Sequence, residues 1–249
     1  MVVGGSRNGY LVFFSDRQVE VWGHRGWPTR YPDNVLAGIR DAAAIASRVE
    51  IDVRRTRDGR LVLSHDPELG GFAVAGTTSA ELSDIDLGDG HRPLFLDELI
   101  ARAPEVPLDL EIKNLAFDPG GDPWFVIVEQ VAGVCRPEDI ITSFHWPSVD
   151  RIRSLRPEVA TGLLFEAALS VEDAMDHAIR MAHAAIVPHW EVVTRDLIGR
   201  AHDAGIEVIC WTVDDPAVAR RLAAWEIDAI ITNDPGAIVA ALDSAEQTP

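Results

Sequence analysis

Charged side chains alternate with apolar ones in two segments of the sequence, 49–54 and 108–113. Strand side chains point alternately to opposite faces, so each segment predicts a β-strand with one apolar and one charged face. The charged faces carry Glu50 and Asp52 in the first segment, and Asp109, Glu111 and Lys113 in the second. Isolated buried carboxylates cost several kcal/mol each, and a bound Mg2+ or Ca2+ would offset that cost because both ions prefer carboxylate oxygens. Buried salt bridges to Arg25, Arg54 or Lys113 are the competing interpretation.

Two histidines follow predicted strands at positions where they can act together. His24 lies in the string GHRG, and His65 lies in the string LSHDP. In an α/β barrel the carboxyl ends of the strands surround the active site, so both imidazoles are expected beside the carboxylates. Such a pair can divide the proton transfers of phosphodiester cleavage, one as base and one as acid. Surface or packing roles are expected for His91 and for three histidines in predicted helices, His177, His183 and His202.

Most tryptophans also lie at the ends of predicted strands or in the loops that follow them. These residues are Trp27, Trp124, Trp146, Trp190 and Trp211. Loop packing is one interpretation of this placement. The other is an aromatic mouth that receives an apolar or choline-like alcohol group.

Predicted strands and helices alternate along the chain, which is typical of parallel βαβ units. The predicted strands are 19–23, 49–54, 61–65, 108–113, 140–143, 160–164, 185–188, 207–213 and 229–232. The predicted helices are 35–46, 125–134, 147–155, 171–182, 194–204, 216–224 and 235–242. Eight principal strands remain if 61–65 is a hairpin return of the second strand. The stretch 66–107 is interpreted as an excursion with one amphipathic helix near 94–103, inside a single domain that spans 1–249.

Composition narrows the class of protein. The chain has 249 residues and a mass of 27.2 kDa, near the usual size of one (β/α)8 barrel. Its formal charge of −18 disfavours nucleic acid and anionic membranes as partners, although a bound cation can still attract an anionic substrate locally. The apolar patch at 10–14 is too short for a signal sequence and no run predicts stable membrane insertion, so a cytoplasmic location is expected. Cys135 and Cys210 are predicted to be buried free thiols.

A series of motifs resembles the glycerophosphodiester phosphodiesterase family, from about Val21 to Gly236. The motifs are HRG (24–26), PDNV (32–35), EID (50–52), TRDG (56–59), HD (65–66), LEIK (110–113), SF (143–144), WTV (211–213) and IIT (230–232). The resemblance implies an α/β fold, a (β/α)8 TIM barrel with a small excursion after the second strand. It also implies hydrolysis of a small-molecule glycerophosphodiester to glycerol 3-phosphate and an alcohol.

The resemblance further implies roles for particular residues. One divalent cation, Mg2+ or Ca2+, would be held by Glu50, Asp52 and Glu111. His24 and His65 would be the catalytic acid/base pair. Contacts to the phosphate and the rest of the substrate would come from Arg25, Lys113, Phe144 and Trp211. Lys113 is the only lysine of the chain, which suggests that a compact ammonium is needed where a guanidinium would not fit.

Four residues depart from the family pattern and leave the substrate preference open. They are Asp33 in place of Glu, Val35 in place of Thr, Asp214 in place of Asn, and Asn233 in place of Asp. A lysophospholipase D-like activity and a non-catalytic barrel that binds phosphorylated metabolites are the alternative functions. The released alcohol, the metal and the oligomeric state are left open by the sequence.

Overall fold

A computed structural model describes residues 18–102, 105–115 and 117–246 of the chain. The predicted apolar patch at 10–14 lies outside the described residues. Within the described residues, no helix combines the length and the apolar character that a membrane span requires.

Eleven strands are present in the described part of the chain. In chain order they are β1 (Glu20–Gly23), β2 (Arg48–Arg55), β3 (Leu61–Leu63), β4 (Glu68–Leu69), β5 (Phe72–Ala73), β6 (Leu108–Ile112), β7 (Ile140–Ser143), β8 (Ala160–Phe165), β9 (Ala185–Pro188), β10 (Glu207–Cys210) and β11 (Ala229–Thr232). Eight of them are parallel and close into a barrel, because β1 pairs with β11 on one side and with β2 on the other. The predicted (β/α)8 barrel is therefore confirmed.

Nine α-helices accompany these strands in the same described ranges. They are α1 (Leu36–Ala43), α2 (Ser79–Ser83), α3 (Leu96–Arg102), α4 (Val126–Val134), α5 (Trp146–Leu155), α6 (Val171–Met181), α7 (Arg195–Ala204), α8 (Pro216–Ala223) and α9 (Pro235–Glu246). Polar side chains begin several of them: Ser170, Thr194 and Asp215 each accept a hydrogen bond from a backbone N–H of the first turn. One placement was wrong, since α6 ends at Met181 and His183 lies in the connection to β9.

Alternation along β2 separates the two sides of the barrel wall. Val49, Ile51 and Val53 are fully buried in the core cluster that also contains residues of the surrounding helices. Glu50 and Asp52 point to the opposite side, into the barrel, and are buried as well. The apolar face fixes the register of the strand, because a slip of one residue would turn the carboxylates of Glu50 and Asp52 into the helix layer.

The excursion after β2 contains more regular structure than the sequence indicated. Before the excursion, β3 returns antiparallel to β2, as predicted for 61–65. Within the excursion, β4 and β5 form a two-stranded hairpin, and α2 begins with a capping box formed by Thr78 and Glu81. These elements have two to five residues, too few for a hydrophobic period to be visible in the sequence. A small core of their own holds them together, formed by Val62, Val74, Leu82 and Phe95.

Candidate active site

The side chains that could take part in catalysis or metal binding lie toward the carboxyl ends of neighbouring strands. His24 follows β1 directly, and Lys113 follows β6 directly. Strands β2 and β6 pair in a register that places Asp52 opposite Glu111. Strand β1 pairs with the first residues of β2, with Gly23 opposite Val49, so His24 lies level with Glu50. The His24 Nε2 atom is 4.0 Å from Glu50 Oε2, and the imidazole therefore faces the same space as the carboxylates.

Glu50, Asp52 and Glu111 form an acidic trio with donor atoms within 4.8 Å of one another. All three side chains are buried. Burial and the neighbouring carboxylates raise the pKa of Glu50 well above its usual value, and burial raises the pKa of Glu111 despite the nearby Lys113. Glu50 Oε1 is buried without a hydrogen-bond partner. Since an orphaned carboxylate oxygen is costly, the trio is a candidate cation site.

Two basic side chains contact the acidic trio. Lys113 Nζ lies 2.8 Å from Asp52 Oδ1 and 2.6 Å from Glu111 Oε1. Arg25 Nε lies 3.3 Å from Asp52 Oδ2, and its backbone N–H donates to Glu50 Oε2 at 2.8 Å. Burial opposes ionisation of Asp52, but the charges of Lys113 and Arg25 outweigh it and hold the pKa of Asp52 below its usual range. The buried salt bridges considered as an alternative are therefore present at Asp52 and Glu111.

Backbone geometry explains why the HRG motif has these residues. Arg25 adopts a left-handed conformation with φ of 53°, which turns its N–H toward Glu50. Gly26 follows with φ of 91°, and a Cβ atom there would lie 2.8 Å from the backbone carbon of Gly38. Only glycine combines this φ with such a close approach of two backbones.

Asn34 is a supporting residue to which the sequence analysis gave no role. Its side chain donates to Asp52 Oδ2 at 2.8 Å and accepts from the Asp52 backbone N–H at 3.1 Å. Asn34 is buried and has a left-handed φ of 60°, a conformation that asparagine tolerates better than most residues. The only signal for it was its place in the PDNV motif. Next to it, Asp33 contacts Arg25 Nη1 at 2.8 Å, and Val35 begins α1 without a side-chain cap.

His24 is held by Asn233, which directly follows β11 and is itself held by Asp214 from the segment after β10. Its Nδ1 lies 2.7 Å from Asn233 Oδ1, and Asn233 Nδ2 donates to Asp214 Oδ2 at 2.7 Å. Because the amide of Asn233 points its NH2 group at Asp214, its oxygen must face His24 and accept the Nδ1 proton. Burial, aided by the charge of Arg25, lowers the pKa of His24 to about 4. His24 is therefore neutral at pH 7, with an unprotonated Nε2 near Glu50.

His65 lies on the other side of the trio and is more exposed. Its Nδ1 lies 2.8 Å from Asp66 Oδ1. Arg54 donates to the backbone carbonyl of His65 from Nε at 3.0 Å and from Nη2 at 2.7 Å, while its Nη1 contacts Asp118 at 2.8 Å. Arg54, considered earlier only as a salt-bridge partner for the carboxylates, instead fixes the position of the histidine loop.

A cavity of about 140 Å³ connects these groups. It is lined by eight predicted site residues, His24, Arg25, Glu50, His65, Glu111, Lys113, Phe144 and Trp211. The ninth, Asp52, lies behind them and reaches the cavity through its contacts with Lys113 and Arg25. The cavity also contains residues that were not predicted as site residues, Asp109, Thr142, Leu164, Glu166, Thr212 and Ile231. Burial raises the pKa of Asp109 to about 7, and Thr142 donates to it at 2.7 Å.

The aromatic side chains divide between the two interpretations. Phe144 and Trp211 line the cavity with ring centroids 5.3 Å apart and an edge-to-face arrangement. Of the five tryptophans considered for an aromatic mouth, Trp211 alone lines this cavity. Trp27 is buried in the core, and its Nε1 lies 3.2 Å from Asp234. A mouth formed by all five tryptophans is therefore wrong, and packing explains Trp27.

Comparison with known proteins agrees with this arrangement. Residues 24–237 match the Glycerophosphoryl diester phosphodiesterase family. A glycerophosphodiester phosphodiesterase of Caldanaerobacter subterraneus subsp. tengcongensis is 27% identical over 237 residues, covering 87% of this chain and 94% of that protein. The crystal structure of a protein from Silicibacter pomeroyi DSS-3 superimposes with a TM-score of 0.82 at 26% identity, covering 93% of this chain and 95% of that chain.

A second solved structure shares the fold and contains a bound product. An Oleispira antarctica phosphodiesterase in complex with sn-glycerol-3-phosphate has a TM-score of 0.78 at 24% identity, covering 90% of this chain and 96% of that chain. The family match spans most of the chain, and the matched range contains all the residues that line the cavity. The chain is an enzyme of the glycerophosphoryl diester phosphodiesterase family.

Proposed function

We propose that this enzyme hydrolyses glycerophosphodiesters to glycerol 3-phosphate and an alcohol with the help of one divalent cation, Mg2+ or Ca2+. The observation that supports the proposal is the buried acidic trio, which lies at one cavity lined also by the imidazoles of His24 and His65 and by Arg25 and Lys113. The product named for the Oleispira antarctica relative agrees with it.

The charges of the site favour a divalent cation. If all three carboxylates are ionised when the ion binds, Arg25 and Lys113 leave them with one net negative charge, which the divalent ion converts into one net positive charge. A phosphodiester carries one negative charge and would then neutralise the site. Glu50, Asp52 and Glu111 would hold the ion, and the orphaned Glu50 Oε1 supplies an oxygen with no other partner. The ion would supply charge neutralisation at a phosphoryl oxygen.

Lys113 and Arg25 would bind the phosphate beside this ion. Both already lie against the carboxylates, so their charges are oriented before a substrate arrives. Pre-oriented charges stabilise the negative charge that develops on the phosphoryl oxygens without a cost of reorganisation.

His24 is the base in this proposal and His65 the acid. The Asn233 contact keeps a proton on His24 Nδ1 and leaves Nε2 free to accept a proton from the nucleophile. That nucleophile is water or the neighbouring glycerol hydroxyl, which would give a cyclic phosphate first. Asp66 lies against His65 Nδ1 and would stabilise the imidazolium that protonates the departing alkoxide.

The cavity suits a head group better than an acyl chain. Pockets that enclose larger ligands measure about 300–1,000 Å³, whereas this cavity measures about 140 Å³. Phe144 and Trp211 offer aromatic faces to the alcohol group. With one of five tryptophans in the cavity, no feature of the described residues favours lysophospholipase D-like activity.

The proposal is tested by a coupled assay for glycerol 3-phosphate with several glycerophosphodiesters, after EDTA treatment and after addition of Mg2+ or Ca2+. Activity should disappear with EDTA and return with the ion. His24→Ala should lower kcat/KM by far more than tenfold. A loss of less than about tenfold, equivalent to about 1.4 kcal/mol of transition-state stabilisation, would contradict the role of His24 as the base. Lysophosphatidylcholine serves as the competing substrate in parallel.

A direct measurement of metal binding helps to distinguish a metal-dependent enzyme from a non-catalytic barrel that only binds phosphorylated metabolites. Glu111→Gln should abolish saturable Mg2+ or Ca2+ binding measured by calorimetry. Glu166→Gln is the matched control, since Glu166 also lines the cavity but is exposed and outside the acidic trio. Phosphometabolite binding that is insensitive to chelators, without turnover, would instead indicate a non-catalytic barrel.

A further inference from the structure

Three metal-ligating side chains meet among the helices that surround the barrel, apart from the active-site cavity. Asp150 belongs to α5, His177 belongs to α6, and His183 lies between α6 and β9. Asp150 Oδ1 lies 2.9 Å from His177 Nε2 and 2.9 Å from His183 Nε2. None of these three lines the cavity. We refer to Asp150, His177 and His183 as the helix-side cluster.

The two imidazoles of the helix-side cluster are aligned toward one carboxylate. Their rings are parallel, with an interplanar angle of 2° and centroids 5.8 Å apart. The His183 side chain is fully buried, while the His177 side chain is 18% exposed and that of Asp150 is 23% exposed. One side of the cluster is therefore fixed by packing, and the other side reaches solvent.

The donor set has the chemistry of a transition-metal site. Two imidazole nitrogens and a carboxylate oxygen are typical ligands of Zn2+, and an exposed side leaves a coordination position for water. The three ligating atoms already lie within 4.8 Å of one another. Imidazole is a poor ligand for Mg2+ and Ca2+, so this cluster differs from the oxygen-only trio of the active site.

We propose that the helix-side cluster binds one divalent transition-metal ion of the Zn2+ class through the Nε2 atoms of His177 and His183 and the carboxylate of Asp150. The ion would join α5, α6 and the segment that enters β9. This site is independent of the catalytic cation.

The hydrogen bond on the far side of His183 supports this proposal, whereas the one on the far side of His177 must break before a metal binds. A histidine that binds a metal through Nε2 must carry its proton on Nδ1 and donate it. His183 Nδ1 lies 2.9 Å from the hydroxyl of Thr161, which can accept that proton. Arg180 instead donates to His177 Nδ1 at 3.1 Å, and a guanidinium cannot accept. Metal binding therefore requires the exposed Arg180 to release His177.

The experiment uses the full chain without a histidine tag, freed of metal and then kept in excess Mg2+. Titration with Co2+ should produce the visible absorption of a four-coordinate centre and saturate at one equivalent, and Zn2+ should displace the Co2+. Zn2+ should also raise the melting temperature, because an ion that binds only the folded state stabilises it. The Glu111→Gln variant should give the same Co2+ spectrum, since the active-site trio is not involved.

Substitutions in the cluster identify its ligands. His177→Ala and Asp150→Asn should each weaken Co2+ and Zn2+ binding by more than about tenfold. His202→Ala is the matched control, since His202 also contacts an aspartate through Nε2, that of Asp228 at 2.8 Å, and should bind as tightly as the parent. Arg180→Ala should bind Zn2+ more tightly than the parent.

Several outcomes would overturn the proposal. One is that the parent protein shows no saturable Co2+ binding in excess Mg2+. Another is that the His177→Ala and Asp150→Asn variants are folded by circular dichroism and bind Co2+ with the full affinity of the parent. In either case the helix-side cluster would be a hydrogen-bonded contact between helices only. A Co2+ signal lost in Glu111→Gln would assign the ion to the active site and equally contradict a second site. Weaker binding by Arg180→Ala would contradict Nε2 of His177 as the ligand.

Discussion

The contact between His24 and Asn233 makes a sharp prediction about the pH dependence of catalysis. Asn233 donates to Asp214, so exchanging the two residues in an Asp214→Asn, Asn233→Asp double variant keeps the number and positions of the hydrogen bonds. The exchange moves one negative charge from Asp214 to the atom position that lies 2.7 Å from His24 Nδ1. The double variant therefore differs from the parent mainly in the negative charge beside the His24 imidazole.

The expected size of the effect follows from the position of that charge. An opposite charge within hydrogen-bond distance raises a histidine pKa by about 1–3 units, worth about 1.4 kcal/mol for each unit. The pKa of His24 would therefore rise from about 4 toward the ordinary histidine range. For a rise of about two units, the neutral fraction of His24 at pH 5 falls from about nine-tenths to about one-tenth. Activity at pH 5 should fall roughly ninefold, while activity at pH 8 changes little.

The assay is the pH profile of kcat/KM for a glycerophosphodiester, at saturating divalent cation. The acidic limb should move to higher pH in the double variant, and an NMR titration of the His24 ring should show the same direction. Asp214→Asn alone is the control, because it removes the distant charge but leaves Asn233 against His24. An acidic limb in the double variant that coincides with the parent profile would refute His24 as the base whose protonation stops turnover.

Three further predictions address other parts of the site. Arg54→Ala should lower kcat/KM about 10–100-fold through loss of its contacts to the His65 carbonyl, with the acidic limb of the pH profile unchanged; a shifted limb would contradict a purely positioning role. Lys113→Arg should lower kcat/KM at least about tenfold, because a guanidinium is too large for the buried space occupied by the ammonium; steady-state kinetics with near-parent activity would contradict this. The gain in melting temperature on adding Mg2+ or Ca2+ to EDTA-treated protein should be greater at pH 8 than at pH 5. The pKa values of Glu50 and Glu111 are raised in the folded protein, so without the ion their ionisation lowers the free energy of unfolding as pH rises. The bound ion removes that loss of stability. Equal gains in melting temperature at both pH values, measured by scanning calorimetry, would contradict this prediction.

The sequence predicted the barrel and the composition of the site because both follow from strong local patterns. Alternation in 49–54 and 108–113 assigned the carboxylates to the barrel interior, and the helix between each pair of strands required a parallel sheet. The family resemblance was confirmed by the comparisons. The roles proposed for Glu50, His24 and His65 stay predictions, although their placement around one cavity is the arrangement that those roles require.

The parts that sequence reasoning missed depend on contacts between distant positions. The two bonds from Asn34 to Asp52 and those from Arg54 to the His65 carbonyl involve ordinary polar residues whose partners are not evident from spacing. Asn233 was noted only as a departure from the family pattern, and its effect on His24 required knowledge of which way its amide points.

Short elements and isolated histidines show the same limit. The hairpin of β4 and β5 has only two residues in each strand, and Leu69 is its one residue that packs against the small core of Val62, Val74, Leu82 and Phe95, so no local period marked it in the sequence. His177 and His183 are six positions apart, and the sequence predicts surface or packing roles for both in a helical segment. Their shared contact with Asp150 exists only because α5 packs beside α6.

Closure of the barrel has a consequence for how the protein is made. The partner of His24, Asn233, is 209 positions further along the chain and directly follows β11, the strand that completes the sheet. In a ribosome-bound chain that does not yet include β11 and Asn233, the His24 imidazole lacks the amide oxygen that keeps its proton on Nδ1. Hydrolytic competence should therefore arise late and abruptly during synthesis, when the final strand docks between the first and the tenth.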